Sequence, residues 1–312
     1  MIIVTGGAGF IGRHLVKRLE TEGEGVFVLD DYSRADRDYG ECRYDVCLPE
    51  QVELAFEAAE SFEQVNEVIH LAYINGTRHF YERPYEVMEV ALRGMLNVIQ
   101  ACKNYNVKKF TLVSSSEVCR FKTVNADESV PLIIPDPYNA RYSYSAGKIM
   151  SEKMALHCGL FDHLTIVRPF NIYGPGMSEG HVIPDLIKKI RSTTKAGEEI
   201  EIIGSGEETR SFCYIDDFID GLMIARKKGE HRGIYNVGTP QETSIRHLID
   251  MLQSIMGYSV VISEKNQWRE GDLLRRRPDI SKLEELGYEP KWTLWNGLKE
   301  VINEGSARER HA

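Results

Sequence analysis

Along the first half of the chain a short apolar run is followed, again and again, by a stretch with helical spacing. The runs are Ile2-Ile3-Val4, Val26-Phe27-Val28-Leu29, Val68-Ile69-His70-Leu71, Phe110-Thr111-Leu112-Val113 and Leu164-Thr165-Ile166-Val167. Brief, continuous runs rich in β-branched residues read as strands buried on both faces. Between them the spacing predicts helices over about 10–22, 50–60, 84–105 and 140–158. Strand and helix in alternation, with crossovers of roughly 30 residues, give βαβ units, and the fold class that follows is α/β with a doubly wound parallel sheet.

After Pro169 the texture changes. Gly174-Pro175-Gly176 and Gly204-Ser205-Gly206 punctuate shorter elements, and two further helices begin near Asp216 and Ser244. This half reads as a smaller C-terminal portion that covers a substrate. No internal repeat, low-complexity tract or linker intervenes, so the two portions are expected to pack as one body.

Composition narrows the class without naming it. With 42% hydrophobic and 27% charged residues over 312 positions, the chain can bury its own core and has no compositional reason for long disorder. A net charge of -9 argues against nucleic acid, because a surface that tracks phosphates needs clustered Lys and Arg. Any phosphate-bearing ligand must therefore meet local arginines. No apolar run is long enough to span a membrane, and the opening strand carries no basic leader, which predicts a cytoplasmic enzyme without membrane partners. The six cysteines, Cys42, Cys47, Cys102, Cys119, Cys158 and Cys213, form no CxxC pair, so reduced thiols and no metal site are expected.

Thr5-Gly6-Gly7-Ala8-Gly9-Phe10-Ile11-Gly12 follows a strand and opens a helix, the context in which a glycine pattern reads as a dinucleotide site. Gly6 permits the tight turn, Gly9 admits the pyrophosphate to the backbone, and Gly12 lets helix and strand approach. Asp30, at the end of the second strand, can accept hydrogen bonds from both adenosine ribose hydroxyls and would repel a 2′-phosphate. NAD is the cofactor expected. Asp31 competes for that role, and Arg34 and Arg37 lie close enough to welcome the phosphate of NADP. The division drawn is an NAD-binding domain over 1–170, with returning segments from about 205–240, and a mostly substrate-binding portion over 171–312.

Tyr144-Ser145-Ala146-Gly147-Lys148 sets a phenol and an ammonium four residues apart on one helix face. A tyrosine is a poor base at its ordinary pKa, and a neighbouring cation favours the phenolate. Ser114-Ser115-Ser116-Glu117-Val118 follows the Phe110–Val113 run, where strand ends of an open α/β sheet border the ligand crevice.

Taken in this order, these motifs resemble the extended short-chain dehydrogenase/reductase family, specifically its NAD-dependent nucleotide-sugar epimerases, dehydratases and decarboxylases. The resemblance runs over nearly the whole chain and implies a Rossmann fold. It implies that Tyr144 is the base, that Ser115 shares its hydrogen-bond network with the sugar hydroxyl, and that Lys148 holds the nicotinamide ribose while lowering the Tyr144 pKa. Gly6, Gly9, Phe10, Ile11 and Gly12 would hold the dinucleotide. Leu71 and Ala72, after His70, would lie beside the cofactor, and Asp45 with Val46 near adenine. For the nucleotide-diphosphate sugar the resemblance implies Asn171 and Arg210 at the phosphates, Arg269 at phosphate and Asp272 at the nucleotide ribose. Arg275-Arg276-Arg277 reads instead as a solvated charge run, Cys119 as a packing cysteine, and His70 as a packed strand-end histidine. Two positions depart from the family pattern: Cys119-Arg120 stands for Tyr-Gly, and Ala91 for an asparagine. Both suggest an altered sugar pocket.

The reaction expected is oxidation of the sugar at C4 to a transient ketone. Resembling dehydratases carry an Asp-Glu pair where this chain has Ser116 and Glu117, so elimination loses its acid. The order of expectation is 4-epimerisation, then decarboxylation or dehydration, then release of a 4-keto sugar; a catalytically silent NAD-binding protein is the alternative from another class. A homodimer is implied, with helices near 84–105 and 142–158 at the interface. Val87, Val90, Met95, Ile149, Met150 and Met154 fit that interface and fit a monomer core equally.

Overall fold

The computed structural model describes residues 1–33, 43–119, 124–265 and 273–309. Its centre is a six-stranded sheet in the order Gly233–Val237, His163–Pro169, Lys109–Val113, Glu67–His70, Ile2–Thr5, Val26–Leu29. Every neighbouring pair in it is parallel. Each of the five apolar runs becomes a strand of this sheet. The sixth strand, Gly233–Val237, arrives from the second half of the sequence, and its Gly-Ile-Tyr-Asn-Val is too mixed to declare itself.

Side-chain alternation sorts the central strands onto two cores. Ile2, Val4, Ile69 and Val113 point toward helices Phe10–Thr21 and Ile215–Lys228, whose Leu15, Leu19, Phe218 and Leu222 are buried there. Ile3, Val68, Phe110 and Leu112 face the other way, onto Val52 and Phe56 of Pro49–Phe62 and onto Met95 and Val98 of Met95–Asn104. Both faces are covered, which is why the strands read as apolar throughout rather than alternating.

The segment expected as a helix over 84–105 is helical in three pieces: Pro84–Glu89, a π turn at Val90–Gly94, and Met95–Asn104. The Ser151 hydroxyl of the neighbouring helix Ser143–His157 lies 3.0 Å from the Gly147 carbonyl of its own helix and 3.4 Å from the Ala91 carbonyl of the π turn.

The second half adds a parallel pair, Glu198–Ile203 with Val260–Lys265, and a short pair, Ile172–Tyr173 with Cys213–Tyr214. It also shares a four-stranded sheet in the order Thr243–Ser244, Thr209–Arg210, Arg275–Pro278, Val124–Ala126. Helices Val182–Ser192 and Leu294–Glu309 were not anticipated from spacing. Among the described residues no helix is long and apolar enough to cross a membrane.

Candidate active site

From Ile2–Thr5 the chain passes to one neighbouring strand, Val26–Leu29, and then back to the other, Glu67–His70. Strand order reverses there, and a crevice opens outside the carboxyl ends of the strands. The glycine turn lies at this point, in a cleft of about 1080 Å³. Gly6 has φ +70°, and a Cβ on it would stand 2.7 Å from the backbone nitrogen of Ala72. On Gly12 a Cβ would meet the Gly6 carbonyl oxygen at 2.1 Å, so helix and turn touch only because it is absent. At Gly9 the single protein contact would be that same oxygen at 3.3 Å, which leaves its other side facing the cleft. These cradles fit the pyrophosphate of a dinucleotide.

Asp30 faces the turn: its carboxylate accepts from the backbone N–H of Ala8 at 2.9 Å and of Tyr32 at 2.8 Å. Burial pushes its pKa up, and those two bonds oppose the shift. Asp31 is exposed and turned to its own loop, accepting from the backbone and hydroxyl of Ser33. Asp30 is thus the carboxylate built into the turn. Phe10, Ile11, Asp45, Val46, Leu71 and Ala72 all line the same cleft. The Thr5 hydroxyl oxygen accepts from the N–H of Leu71 at 3.2 Å and of Ala72 at 3.1 Å, which leaves its proton for His70 Nδ1, 2.8 Å away. Burial, reinforced by the Lys148 charge, pushes the His70 pKa down to about 3. His70 is therefore a neutral acceptor tying two strand ends together. Arg34, Arg37 and Cys42 lie outside the described residues.

Tyr144 and Lys148 sit on one face of helix Ser143–His157, both buried and both lining the cleft. Ser115 Oγ is the hydrogen-bond partner of the Tyr144 phenol and also accepts from the backbone N–H of Glu117 at 3.2 Å. Burial raises the Tyr144 pKa, and the Ser115 bond works against it. Lys148 Nζ donates to the Val113 carbonyl at 2.8 Å, and burial lowers its pKa to about 7. The Tyr144 ring is stacked on Phe80 at 4.5 Å and meets Tyr73 edge-on at 5.0 Å. Neither aromatic neighbour announced itself in the sequence. Tyr73 follows the strand-end His70-Leu71-Ala72, and Phe80 belongs to a one-and-a-half-turn helix, Thr77–Glu82, too short to show a period.

Beside the base, the Glu117 carboxylate receives Arg276 Nη1 at 2.6 Å, with Arg141 Nη2 at 3.9 Å. Arg141 and Arg276 are both buried and both line the cleft, as do Ser116 and Glu117. This corrects the reading of Arg275-Arg276-Arg277 as a solvated run. The three form part of strand Arg275–Pro278, whose alternation sends Arg276 and Pro278 inward, while Arg275 pairs with Glu242 and Arg277 with Asn125. Three arginines in a row carry no apolar–polar alternation, so the sequence does not mark which of them turns inward.

Below the Ser115 segment, Glu152 takes both arms of Arg168, at 2.9 and 2.7 Å, and the Ser114 hydroxyl at 2.5 Å. Arg168 also reaches the Glu128 carbonyl at 3.1 Å and the Cys119 sulfur at 3.6 Å. Cys119 is buried in this packing.

Toward the far end of the cleft, Asn171 adopts φ +42°, a left-handed backbone that asparagine tolerates, and donates Nδ2 to the Ser211 carbonyl at 3.1 Å. Arg210 lines the same wall and donates to the Thr209 carbonyl at 2.8 Å. Arg269, Asp272 and Arg120 fall outside the described residues. Among the described residues no group of three or more His, Cys, Asp or Glu side chains converges to hold a metal ion.

Residues 2–238 match the family model of the NAD dependent epimerase/dehydratase family. A UDP-glucuronic acid decarboxylase of Arabidopsis thaliana is 31% identical over 95% of this chain and 86% of the relative. The crystal structure of a UDP-glucose 4-epimerase with UDP-glucose, from Thermotoga maritima, superposes with a TM-score of 0.84, at 29% identity over 99% of each chain. That of a Thermus thermophilus UDP-glucose 4-epimerase in complex with NAD gives 0.80, at 27% identity over 97% of this chain and 98% of the other. Glycine turn, sheet order and these likenesses agree: the chain is an enzyme that belongs to the NAD dependent epimerase/dehydratase family, with NAD as its cofactor.

Proposed function

We propose that the protein is a 4-epimerase of a UDP-linked sugar. The observation that carries this reading is the meeting of Ser115, Tyr144 and Lys148 at the carboxyl end of the sheet, beside the glycine turn and in one cleft with it. Tyr144 takes the proton of the sugar 4-hydroxyl, Ser115 orients that hydroxyl, and Lys148 supplies the cation that makes a phenolate affordable at neutral pH. NAD, when bound, supplies the hydride acceptor and donor at C4. Gly6, Gly9, Phe10, Ile11, Gly12, Asp30, Asp45, Val46, Leu71 and Ala72 hold it, within a cofactor domain of residues 1–170 joined by segments from about 205–240. Asn171 and Arg210 face the substrate phosphates, from a portion spanning 171–312. This reading requires the 4-keto sugar to turn within the cleft so that its other face is presented at C4.

One observation favours a second reading. Arg276, beside Glu117 and lining the cleft, has its Nε buried without a hydrogen-bond partner among the described residues. A neutral sugar brings no anion to such a donor, whereas a uronic acid brings a carboxylate. In that substrate the C4 ketone makes C6 the carboxyl of a β-keto acid. The C5–C6 bond then breaks, carbon dioxide leaves, and the electron pair passes to the C4 oxygen. Dehydration is disfavoured by Ser116 and by the engagement of Glu117 with Arg276.

UDP-glucose, UDP-N-acetylglucosamine, UDP-glucuronate and dTDP-glucose, incubated singly with the protein, separate these readings by product mass and stereochemistry. An isomer of unchanged mass without net NADH is expected. Loss of carbon dioxide from UDP-glucuronate alone would install the second reading, and loss of water would overturn both.

We propose also that two copies pair through helices Pro84–Asn104 and Ser143–His157. Val87 and Met95 are fully buried in the monomer, but Leu96, Met150 and Tyr85 stand 58%, 48% and 67% exposed on the same helices. Sedimentation at micromolar concentration should read twice the chain mass; a single-chain mass would refute the pairing.

A further inference from the structure

The Lys148 ammonium is buried, and among the described residues no carboxylate is bonded to it; it donates to the Val113 carbonyl at 2.8 Å. The titratable groups around it are Glu152 on its own helix, His70 on the strand Glu67–His70, and the phenols of Tyr144 and Tyr73. Glu152 is already committed to Arg168 and Ser114, and His70 is neutral. What lies against the ammonium is the face of Tyr73, with Nζ 4.0 Å from the ring centroid, against 5.9 Å for the Tyr144 ring. A desolvated ammonium over an aromatic face is held by the negative face of the ring quadrupole. The Tyr73 hydroxyl donates to the Tyr144 carbonyl at 3.3 Å, which joins the same ring to the helix that carries the base.

The surroundings are shaped to this ring. Gly147 lies between Tyr144 and Lys148, and a Cβ there would stand 2.1 Å from the Tyr73 hydroxyl oxygen and 2.6 Å from the Ala91 Cβ. A glycine inside a helix costs about 1 kcal/mol relative to alanine in an exposed setting, and here it admits the phenol.

We propose that Tyr73 is a positioning residue for proton transfer: its ring face keeps Lys148 cationic and in place beside Tyr144, and its hydroxyl anchors the first turn of their helix. The inference rests on the assignment of Tyr144 and Lys148 as the proton-transfer pair. Because burial already brings the Lys148 pKa down to about 7, a modest loss of cation stabilisation changes its charge near neutrality. The protonated form is lost as pH rises through that pKa, so a lower pKa moves the loss to lower pH.

Position 73 should be replaced by Phe and then by trifluorophenylalanine, which keeps the ring volume while cancelling most of its quadrupole. Lys148 is followed by Nζ NMR in the protein without added sugar, and UDP-glucose turnover is followed across pH. Tyr73→Phe should leave the Lys148 titration near its original place, and fluorination should lower it by about one pH unit, with the alkaline limb of kcat/KM moving down by the same amount. An unchanged Nζ titration in the fluorinated protein overturns the proposal. A shifted titration with an unmoved kcat/KM profile overturns its catalytic half and, with it, the role of Lys148. Absence of UDP-glucose turnover in the unmodified protein speaks against the proposed substrate while leaving the Nζ result decisive for Tyr73.

Discussion

Tyr144→Phe is expected to lower kcat by about 10²- to 10⁴-fold, the span that removal of a positioned general base gives, with little change in stability. The phenylalanine ring keeps the stacking on Phe80 and the edge contact with Tyr73. Only the phenol is lost, and its hydrogen-bond partner Ser115 retains the backbone N–H of Glu117. Thermal unfolding and NAD affinity by calorimetry should therefore stay close to those of the unaltered protein while turnover collapses. Lys148→Met should fall in the same range but with weaker NAD binding, since the family resemblance implies that the ammonium also holds the nicotinamide ribose. A Tyr144→Phe protein that retains a tenth or more of its turnover would remove Tyr144 from the chemistry.

The largest effect on stability is expected at Glu152. Removing it by Glu152→Ala leaves the Arg168 guanidinium buried without its counter-charge and strips the Ser114 hydroxyl of its acceptor. Breaking one side of a buried pair costs about 3–5 kcal/mol, whereas replacing both sides by apolar residues of similar volume is often neutral. Urea unfolding of Glu152→Ala, Arg168→Met and the combined Glu152→Leu/Arg168→Met protein should show two large losses and a substantial recovery. Single losses below about 1 kcal/mol would mean that water or a shifted side chain satisfies the pair, contrary to its burial. Activity should suffer with stability, because Ser114 and Cys119, both bonded to this pair, flank the segment that carries Ser115 and Glu117.

The sequence pattern reached the parts of the molecule governed by local rules. Five apolar runs gave five strands because both faces of a parallel sheet are covered, and Gly6 and Gly12 marked a turn with no room for a Cβ, with Gly9 open to the cleft between them. The strand Gly233–Val237 escaped, since its pairing with His163–Pro169 is a long-range event and Asn236 interrupts its apolar character. In the cleft, Ser115, Tyr144 and Lys148 were legible because helix geometry and a strand end fix their relation. Arg276 was not. Its burial depends on a strand arriving beside Thr209–Arg210 from a distant part of the chain, and three consecutive arginines conceal which one points inward. Tyr73 and Phe80 were hidden for a similar reason, being loop and short-helix residues that acquire meaning only against the Tyr144 ring.

The shared four-stranded sheet bears on how this chain can be cut, fused or permuted. The Asn236 carboxamide donates to the Ala126 carbonyl at 2.9 Å and the Asp279 carbonyl at 3.1 Å, and Tyr288 donates to the Gly238 carbonyl at 2.9 Å. Asp217 in turn accepts from the backbone of Lys291 and Trp292. A polypeptide ending near Gly238 would thus open polar seams inside its own core and bare an edge beside Val124–Ala126. An engineer wanting new termini or an inserted reporter is better served by an outlying turn such as Gly257, where a Cβ would touch nothing within 4 Å.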